Sequence, residues 1–315
     1  MSRTSLFLLA SLCTLLAGTT HAAVSRTYVA SYGDDANTVY SCDFAHPCRT
    51  FQTAFSQTTT GGEILAVDGS GYGTLVIDRS VAVIANPGIF AGIGVFAGGT
   101  GVSIATAGVS VTLRGLTLNG QGGSYGIHMT NGAKLSVENC VIANFSSSGQ
   151  YGIRVNTAAT VRVIDTLVRD NYRGAVFEGG ATVNIAGSRF LNNSTLGVMV
   201  STLAASTTTR ASISDSVVTG STYGFYAETA SATATARMFV TRSTATNNLY
   251  AVLANAFSGG TALLVLSDSM VTDNTTGLVQ VVGSGGSATL RTLGNNTVTD
   301  NGVDTSGTIT SASTM

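Results

Sequence analysis

The sequence predicts an all-β fold: a right-handed parallel β-helix, or solenoid, with a short N-terminal capping helix. Apolar and polar residues alternate within short runs such as residues 111–118, 135–142 and 161–168, which is the period of a β-strand. These runs recur at intervals of roughly 22 to 28 residues, about the length of one coil of a solenoid. Because parallel crossover connections are almost always right-handed, the coils are expected to wind in that sense.

Two series of residues keep a common interval along the chain. The last apolar residue of the first strand in each repeat occurs at Leu118, Ile142, Val168, Phe190, Val218, Ala245, Val271 and Val298. The residue that opens the second strand occurs at Gly126, Gly152, Gly174, Gly197, Gly224, Ala251 and Gly277. This shared register predicts one elongated domain of about nine or ten coils. It argues against a β-sandwich, and the leucine-asparagine framework of leucine-rich repeats is absent.

Composition and charge narrow the class of protein further. The chain has 315 residues, of which 44% are hydrophobic and 10% are charged. Such a composition excludes ordinary disorder. The formal net charge of −1 gives no reason to expect nucleic acid or an anionic membrane surface as a partner.

The first 22 residues have the features of a secretory signal peptide. Arg3 precedes an apolar run over residues 6–17, and small residues suit cleavage after Ala22 or one residue later. This run is too short to span a membrane and no other stretch is long enough, so the mature protein is predicted to be exported to the periplasm or the extracellular medium. Cys13 could indicate a lipoprotein instead, but Leu12 stands where that signal needs a small residue.

The remaining cysteines fit an oxidising compartment. Cys42 and Cys48 are predicted to form a disulfide that pins the loop between them, and a metal site that includes His46 is the alternative. Cys140 occupies an inward position of its repeat and is expected to be a buried residue rather than a nucleophile. We expect no cofactor and no bound metal.

Residues 23–62 are predicted to close the amino-terminal end of the solenoid. They contain a short strand, the disulfide loop and a helix on which Phe51, Ala54 and Phe55 share one apolar face. An uncovered solenoid end would expose the core, so we expect this helix to cover it. The coils are predicted to span residues 63–301 and to be followed by a polar tail over residues 302–315.

Stacking of equivalent positions predicts three structural columns. A buried apolar column is expected at Val137, Val163, Ile185, Ile213, Val240, Leu266 and Leu293. A ladder of turn asparagines is expected at Asn144, Asn171, Asn193, Asn247, Asn274 and Asn301, because Asn tolerates the left-handed conformation. A third column places Arg242 between Asp215 and Asp268 on neighbouring coils, which predicts a ladder of ion pairs.

Three stretches of the sequence resemble a known superfamily. They are Pro-Cys-Arg-Thr-Phe-Gln at residues 47–52, Arg-Gly-Leu-Thr-Leu-Asn at residues 114–119, and the recurring Tyr-Gly-Ile-x-Val. They resemble secreted bacterial members of the pectate-lyase-like superfamily of right-handed parallel β-helix proteins, over roughly residues 26–310. The resemblance implies the fold, but it leaves the activity open, since that superfamily includes lyases, hydrolases, esterases, epimerases, tail spikes and adhesins.

The catalytic motifs of that superfamily are not matched here. The only Asp-Asp pair, Asp34 and Asp35, lies in the amino-terminal loop, and the Gly-His-Gly and Arg-Ile-Lys motifs of polygalacturonases are absent. No strand carries an acidic cluster of the kind that binds calcium in pectate lyases. We therefore predict a non-catalytic scaffold that contacts polysaccharide or a cell-surface partner. The alternative is a carbohydrate-active enzyme, a polysaccharide lyase or epimerase ahead of a hydrolase.

The outward face of the Gly-led strands is the candidate ligand-binding surface, because the superfamily usually binds glycans along it. Strand alternation places Ile127 and Met129 inside and His128 outside. The same parity gives the candidate ligand-binding residues His128, Arg154, Asn156, Glu178, Tyr226 and Glu228. His128, Arg154 and Glu178 are expected to form a polar track on three successive coils, in which Arg154 could pair with a uronate carboxylate. A solvated sheet face with a few charges is the other interpretation.

An aromatic column precedes the Gly-led strands. It consists of Tyr125, Tyr151, Tyr223 and Tyr250. These tyrosines could form a platform for sugar rings, but their parity matches that of the inward Ile residues. We therefore expect them to stack at a corner against the core.

Overall fold

The computed structural model describes residues 23–202 and 204–312, so the predicted signal peptide, residues 1–22, lies outside the described residues. Three parallel β-sheets of twelve, ten and ten strands run along the molecule, and we call them sheets A, B and C. Consecutive members of each sheet come from consecutive repeats, so the chain passes from A to B to C and returns to A one coil further on. These strand counts agree with the predicted nine or ten coils, and the all-β parallel solenoid is confirmed.

The strands of sheet A are Val24–Val29, Thr58–Ala66, Val81–Ala85, Ser110–Arg114, Lys134–Glu138, Thr160–Ile164, Thr182–Ala186, Thr208–Ser214, Thr235–Thr241, Thr261–Ser267, Ser287–Thr292 and Ile309–Ser311. Those of sheet B are Ser70–Gly71, Ala91–Phe96, Leu116–Gln121, Val141–Ala143, Leu167–Arg169, Arg189–Leu191, Val217–Thr219, Thr244–Thr246, Met270–Thr272 and Thr297–Val298. Those of sheet C are Leu75–Ile77, Thr100–Ile104, Tyr125–Met129, Tyr151–Asn156, Arg173–Glu178, Leu196–Thr202, Tyr223–Thr229, Tyr250–Ala256, Thr276–Val282 and Val303–Ser306.

The buried column of sheet A sets the register of the coils. The residues of that column pair directly from one strand to the next, from Val137 to Leu266, as predicted. The assignment of Leu293 to the column is wrong. Leu266 faces Thr292, and the buried leucine of that strand is Leu290, which pairs with Leu264. Leu293 lies just past the end of the strand, where alternation no longer fixes the side that a residue faces.

Sheet B shows the same in-register stacking. Its central residues are the first series recognised in the sequence, and each pairs with the next from Leu118 to Val298. All of them are buried except the terminal Val298, which is partly buried against the core. The apolar interior is therefore one continuous column of side chains rather than a set of separate clusters.

Glycine recurs near the start of the sheet C strands because the backbone of the next coil lies too close for a side chain. A Cβ atom on Gly126 would lie 2.5 Å from the carbonyl oxygen of Gly152, and one on Gly152 would lie 2.8 Å from that of Gly174. Residue pairing between neighbouring strands skips this position, since Tyr125 pairs with Tyr151 and Ile127 with Ile153. The irregularity lets the residues on either side of the glycine face opposite sides of the sheet.

A buried amide ladder joins the turns between sheets B and C. Asn171 Nδ2 donates to Asn193 Oδ1 at 2.9 Å, and Asn248 Nδ2 donates to Asn274 Oδ1 at 3.1 Å. Asn301 continues the ladder. Asn144 and Asn247 lie one position earlier in the turn, where they adopt the expected left-handed conformation with φ of 68° and 54°, but they do not belong to the buried amide ladder. Phe145 and Asn248 hold the buried positions in those coils.

A second buried ladder, which the sequence did not reveal, joins the turns between sheets A and B. It consists of Cys140, Thr166, Ser188, Ser216, Ser243 and Ser269. In each coil the backbone N–H donates to the side-chain oxygen of the next coil, at 3.2 Å between Ser188 and Ser216. Cys140 is buried as predicted, and desolvation raises the pKa of its thiol to about 11, which fits a structural role.

The amino-terminal region closes one end of the solenoid. Cys42 and Cys48 form the predicted disulfide. The predicted helix is Phe51–Gln57, which buries Phe51, Ala54 and Phe55, and Thr50 caps its start by accepting from the Thr53 N–H. A short 3-10 helix, Asp35–Tyr40, lies before it. At the other end, strands Val303–Ser306 and Ile309–Ser311 add to sheets C and A, whereas the sequence assigned residues 302–315 to a tail.

We expect Ile213→Asp to prevent folding. The side chain is 1% exposed within the apolar column of sheet A, so the variant would bury an unpaired carboxylate at a cost of several kcal/mol. Circular dichroism and thermal melting of the purified variant would measure the loss. The matched control is Ser212→Asp, since Ser212 is exposed on the other face of the same strand. A variant at Ile213 that melts like the parent would disprove the register.

The turn column around Arg242 gives a second prediction. Arg242 Nε and Nη2 donate to the two carboxylate oxygens of Asp215 at 2.8 and 2.9 Å, while Asp268 is bonded to Asn295 instead. The predicted ladder of ion pairs is therefore reduced to one ion pair, Arg242–Asp215. On the following coils Asp268 accepts a hydrogen bond from the Asn295 amide instead. Because the Arg242–Asp215 pair is exposed, we expect Arg242→Ala to lower the unfolding free energy by only ~0.2–1 kcal/mol. Urea denaturation should show a smaller difference in high salt.

Candidate functional site

The predicted aromatic column lies on the outward side of sheet C. The Tyr125 and Tyr151 rings stack with centroids 5.3 Å apart, and those of Tyr223 and Tyr250 stack at 5.6 Å. These rings belong to a second apolar cluster, separate from the solenoid core. The expectation that they pack against the core was wrong, because the irregularity at the following glycine reverses the side that the tyrosine faces.

Three parallel columns of side chains form this outward face, which we call the sheet C groove. The first column is Tyr125, Tyr151, Arg173, Leu196, Tyr223 and Tyr250. The second is His128, Arg154, Val176, Met199, Tyr226 and Leu253. The third is Asn156, Glu178, Ser201, Glu228 and Asn255.

The groove contains two cavities that share Tyr223 and Tyr226. One, of about 350 Å³, lies over the coils that carry Glu178, Ser201 and Glu228. The other, of about 320 Å³, lies over the coils of Tyr250 and Asn255. Because they adjoin, an extended ligand aligned with the solenoid axis would contact both.

The candidate residues of the early coils are brought together, but not as one column. His128 and Arg154 are neighbours in register, whereas the residue in register with Arg154 on the next coil is Val176. Glu178 belongs to the adjacent column, beside Asn156. It reaches Arg154 diagonally, since Arg154 Nε and Nη2 donate to Glu178 Oε2 at 3.1 and 3.0 Å. The predicted track is therefore a diagonal ion pair next to a histidine.

Electrostatics at this pair are set by burial and mutual contact. Burial of the Arg154 guanidinium lowers its pKa, but the Glu178 carboxylate outweighs that effect, so the pKa of Arg154 lies above its ordinary value. Glu178 is 8% exposed, and an ionised carboxylate so buried needs such a partner. Arg154 also lies over the Tyr151 ring, with its guanidinium carbon 5.0 Å from the centroid.

The candidate residues of the later coils form a second polar group. Tyr226 Oη donates to Glu228 Oε1 at 2.7 Å and accepts from Asn255 Nδ2 at 3.0 Å. Burial and the neighbouring Glu228 carboxylate raise the pKa of the Tyr226 hydroxyl, so it remains a hydrogen-bond donor. Asn255 thus joins the site through Tyr226.

Three buried polar atoms that line the groove have no hydrogen-bond partner within the described residues. They are Arg173 Nε, Ser201 Oγ and Asn255 Oδ1. Sequence reasoning missed Arg173 and Ser201 as site residues. Both could have been found by register alone, since Arg173 follows Tyr151 in the first column and Ser201 precedes Glu228 in the third. Buried polar atoms are normally paired, so the described residues leave part of the hydrogen-bonding capacity of the groove unsatisfied.

A metal site and a membrane-spanning helix each have requirements that the described residues do not meet. Within residues 23–202 and 204–312, no three His, Cys, Asp or Glu side chains are grouped so that they could hold a metal ion. The same part of the chain contains no helix with both the length and the apolar character required to cross a bilayer.

Comparison with known proteins identifies the class to which this molecule belongs. The family described as "Right handed beta helix region" matches residues 100–264, so the chain belongs to it, and the predicted handedness is confirmed. The crystal structure of pectate lyase Pel9A is similar, with a TM-score of 0.60 and 15% sequence identity over 84% of this chain and 77% of that one. Such a likeness establishes the fold alone. None of the curated proteins matches this chain.

The environment of His128 predicts a pH dependence of stability. Burial of the imidazole, together with the nearby Arg154 guanidinium, holds the pKa of His128 below its ordinary value. The unfolded chain then binds the proton more readily, so this contribution to stability is complete above about pH 6.5 and falls as the pH decreases below it. In urea denaturation at a series of pH values, His128→Asn should lose less stability on acidification than the parent. Equal losses in the two proteins would contradict the assignment.

Proposed function

We propose that this protein is an exported, non-catalytic β-helix scaffold that binds polysaccharide in the sheet C groove. The observation that carries the proposal is the combination, in one groove, of stacked tyrosine rings with buried polar atoms that have no partner among the described residues. The Cys42–Cys48 disulfide fits an oxidising compartment and supports export.

The tyrosines supply the apolar part of a sugar-binding surface. Tyr223 lies parallel to both Tyr226 and Tyr250, with centroids 5.0 and 5.6 Å apart, and all three line one cavity. Tyrosine combines a large apolar body with a polar tip, which suits pyranose rings that have one apolar face and a hydroxyl rim. Successive coils lie about 4.8 Å apart, so a polymer along the axis would meet equivalent surfaces in several coils.

The polar atoms supply the hydrogen-bonding part. A buried polar atom without a partner costs about 1–3 kcal/mol, and ligand hydroxyls that reach Ser201 Oγ and Asn255 Oδ1 would recover that cost. Glu228 adds an acceptor that no cation of the described residues neutralises. Sugar hydroxyls, which both donate and accept, match this mixture of groups.

Arg154 acts in this proposal mainly through Glu178. Its Nε and Nη2 donate to that carboxylate, so the positive charge of Arg154 is largely neutralised within the protein, and a uronate would gain less from it than from an unpaired arginine. The groove therefore suits a hydroxyl-rich polysaccharide better than a strongly acidic one. His128 and Asn156 extend the surface toward the earlier coils.

One observation favours a second candidate function, a polysaccharide lyase or epimerase. The lowered pKa of His128 keeps its imidazole neutral near pH 7, and a neutral imidazole beside the Arg154 guanidinium could remove a proton next to a uronate carboxylate. We propose binding without turnover, because Arg154 is already neutralised by Glu178.

We expect Tyr223→Ala/Tyr250→Ala to weaken polysaccharide binding by about tenfold or more, since it removes two stacking rings. A glycan array would identify the ligand for the parent, and titration calorimetry would compare the variants. Tyr32→Ala is the matched control, because that tyrosine is 66% exposed and belongs to the amino-terminal region.

The same preparations decide between binding and catalysis. Parent protein incubated with the bound polysaccharide should release neither unsaturated sugar nor new reducing ends. Product formed by the parent and lost in His128→Ala/Arg154→Ala/Glu178→Ala would establish the enzyme instead. Undiminished binding in both the tyrosine variant and this triple variant would remove the sheet C groove as the binding site.

A further inference from the structure

The outward face of sheet A carries cations that bond no carboxylate of the described residues, although the Ser136 hydroxyl and, to a lesser extent, the Arg162 guanidinium hold the pKa of the Glu138 carboxyl below its ordinary value. Lys134, Arg162, Arg210, Arg237 and Arg291 are all exposed, and none of them makes an ion pair within residues 23–202 and 204–312. They come from five different coils. We call this set the sheet A basic face.

The register of sheet A places these cations in two adjacent columns. Lys134 heads one column, in which Arg210 and Arg237 are direct neighbours on successive coils. The other column contains Arg162 and, five coils further on, Arg291. The directly paired Arg210 and Arg237 repel each other, so this part of the face is unfavourable until an anion lies against it.

Arginines elsewhere in the described chain are mostly held by acceptors. Arg114, Arg154 and Arg242 each bond a carboxylate on a neighbouring coil. Arg169 bonds Asp170, and Arg173 donates to the Tyr151 hydroxyl. Arg189, which is exposed on sheet B, is the exception. Unpaired cations are therefore concentrated on one sheet rather than spread over the surface.

Carboxylates are nearly absent from the same face. Between Ser110 and Thr292, the strands of sheet A contain one acidic residue, Glu138, which is bonded by Arg114 and Ser136. The acidic residues Asp165, Asp215 and Asp268 lie in the turns that follow the strands. Although the formal net charge of the chain is only −1, its positive and negative charges are unevenly distributed, and sheet A carries an excess of cations.

We infer that the sheet A basic face docks on an anionic lipid surface. Phe239, which is 42% exposed, lies beside Arg237 on the same strand, and the partly buried Leu263 and Val265 continue the apolar strip on the next coil. Cations interleaved with an exposed aromatic ring suit a membrane interface, where the charges meet phosphates and the ring enters the boundary region. A broad sheet of stacked strands presents a surface rather than a cleft, which fits a plane better than a single polymer chain.

Co-sedimentation with lipid vesicles tests the inference. The purified protein should bind vesicles that contain phosphatidylglycerol and phosphatidylcholine, should bind pure phosphatidylcholine vesicles much less, and should be released as the salt concentration rises. Each cation near an anionic surface strengthens binding about fivefold. Arg210→Gln/Arg237→Gln should therefore weaken vesicle binding by about 25-fold.

The control is Arg169→Gln/Arg189→Gln, which removes the same charge from sheet B and should bind vesicles as the parent does. Equal weakening in the two double variants would show an effect of net charge alone and would overturn the inference. So would equal binding of the parent to charged and neutral vesicles. Binding of the parent to a soluble anionic polysaccharide or to duplex DNA, but not to the charged vesicles, would assign the face to that polymer instead.

Discussion

In-register stacking of the coils is the constraint on which the rest of this structure depends. Within each of the three sheets, every strand pairs in parallel with the neighbouring strands of the adjacent coils, and only the terminal strands have a single neighbour. Equivalent residues therefore meet at every coil, and a column is stable only if each member can be buried, bonded or solvated in the same way. Apolar columns fill the interior, and the Asn and Ser/Thr ladders satisfy the backbone where it turns.

This constraint also explains the small residues at the start of sheet C. A Cβ atom on Gly224 would lie 2.4 Å from the Ala251 carbonyl oxygen, so the column tolerates little more than glycine. The resulting irregularity turns the preceding tyrosines outward. A backbone requirement at one position thus places Tyr223 and Tyr250 on the surface where the groove forms.

Two faces of the molecule differ in the way that they satisfy charge. In the sheet C groove, Arg154 and Glu178 neutralise each other, and Arg154 lies over the Tyr151 ring. On sheet A, the exposed Arg162, Arg210, Arg237 and Arg291 make no ion pair with a carboxylate of the described residues, although their strands follow directly on those of sheet C. A polysaccharide bound in the groove and an anionic surface bound at sheet A would occupy separate faces. The scaffold could then hold a glycan close to a membrane.

The sequence alone determined the solenoid, its inward columns, the capping helix and the disulfide, because local periodicity and spacing fix which residues can be stacked. It also placed His128, Arg154 and Glu228 on the outward face. Only the tertiary structure decided that Glu178 pairs diagonally with Arg154, that the tyrosines face outward, and that the unpaired cations share one sheet. The diagonal ion pair depends on how far a long side chain extends between coils, and the orientation of the tyrosines depends on the backbone irregularity at the following glycine. The period of the repeat specifies neither of these features.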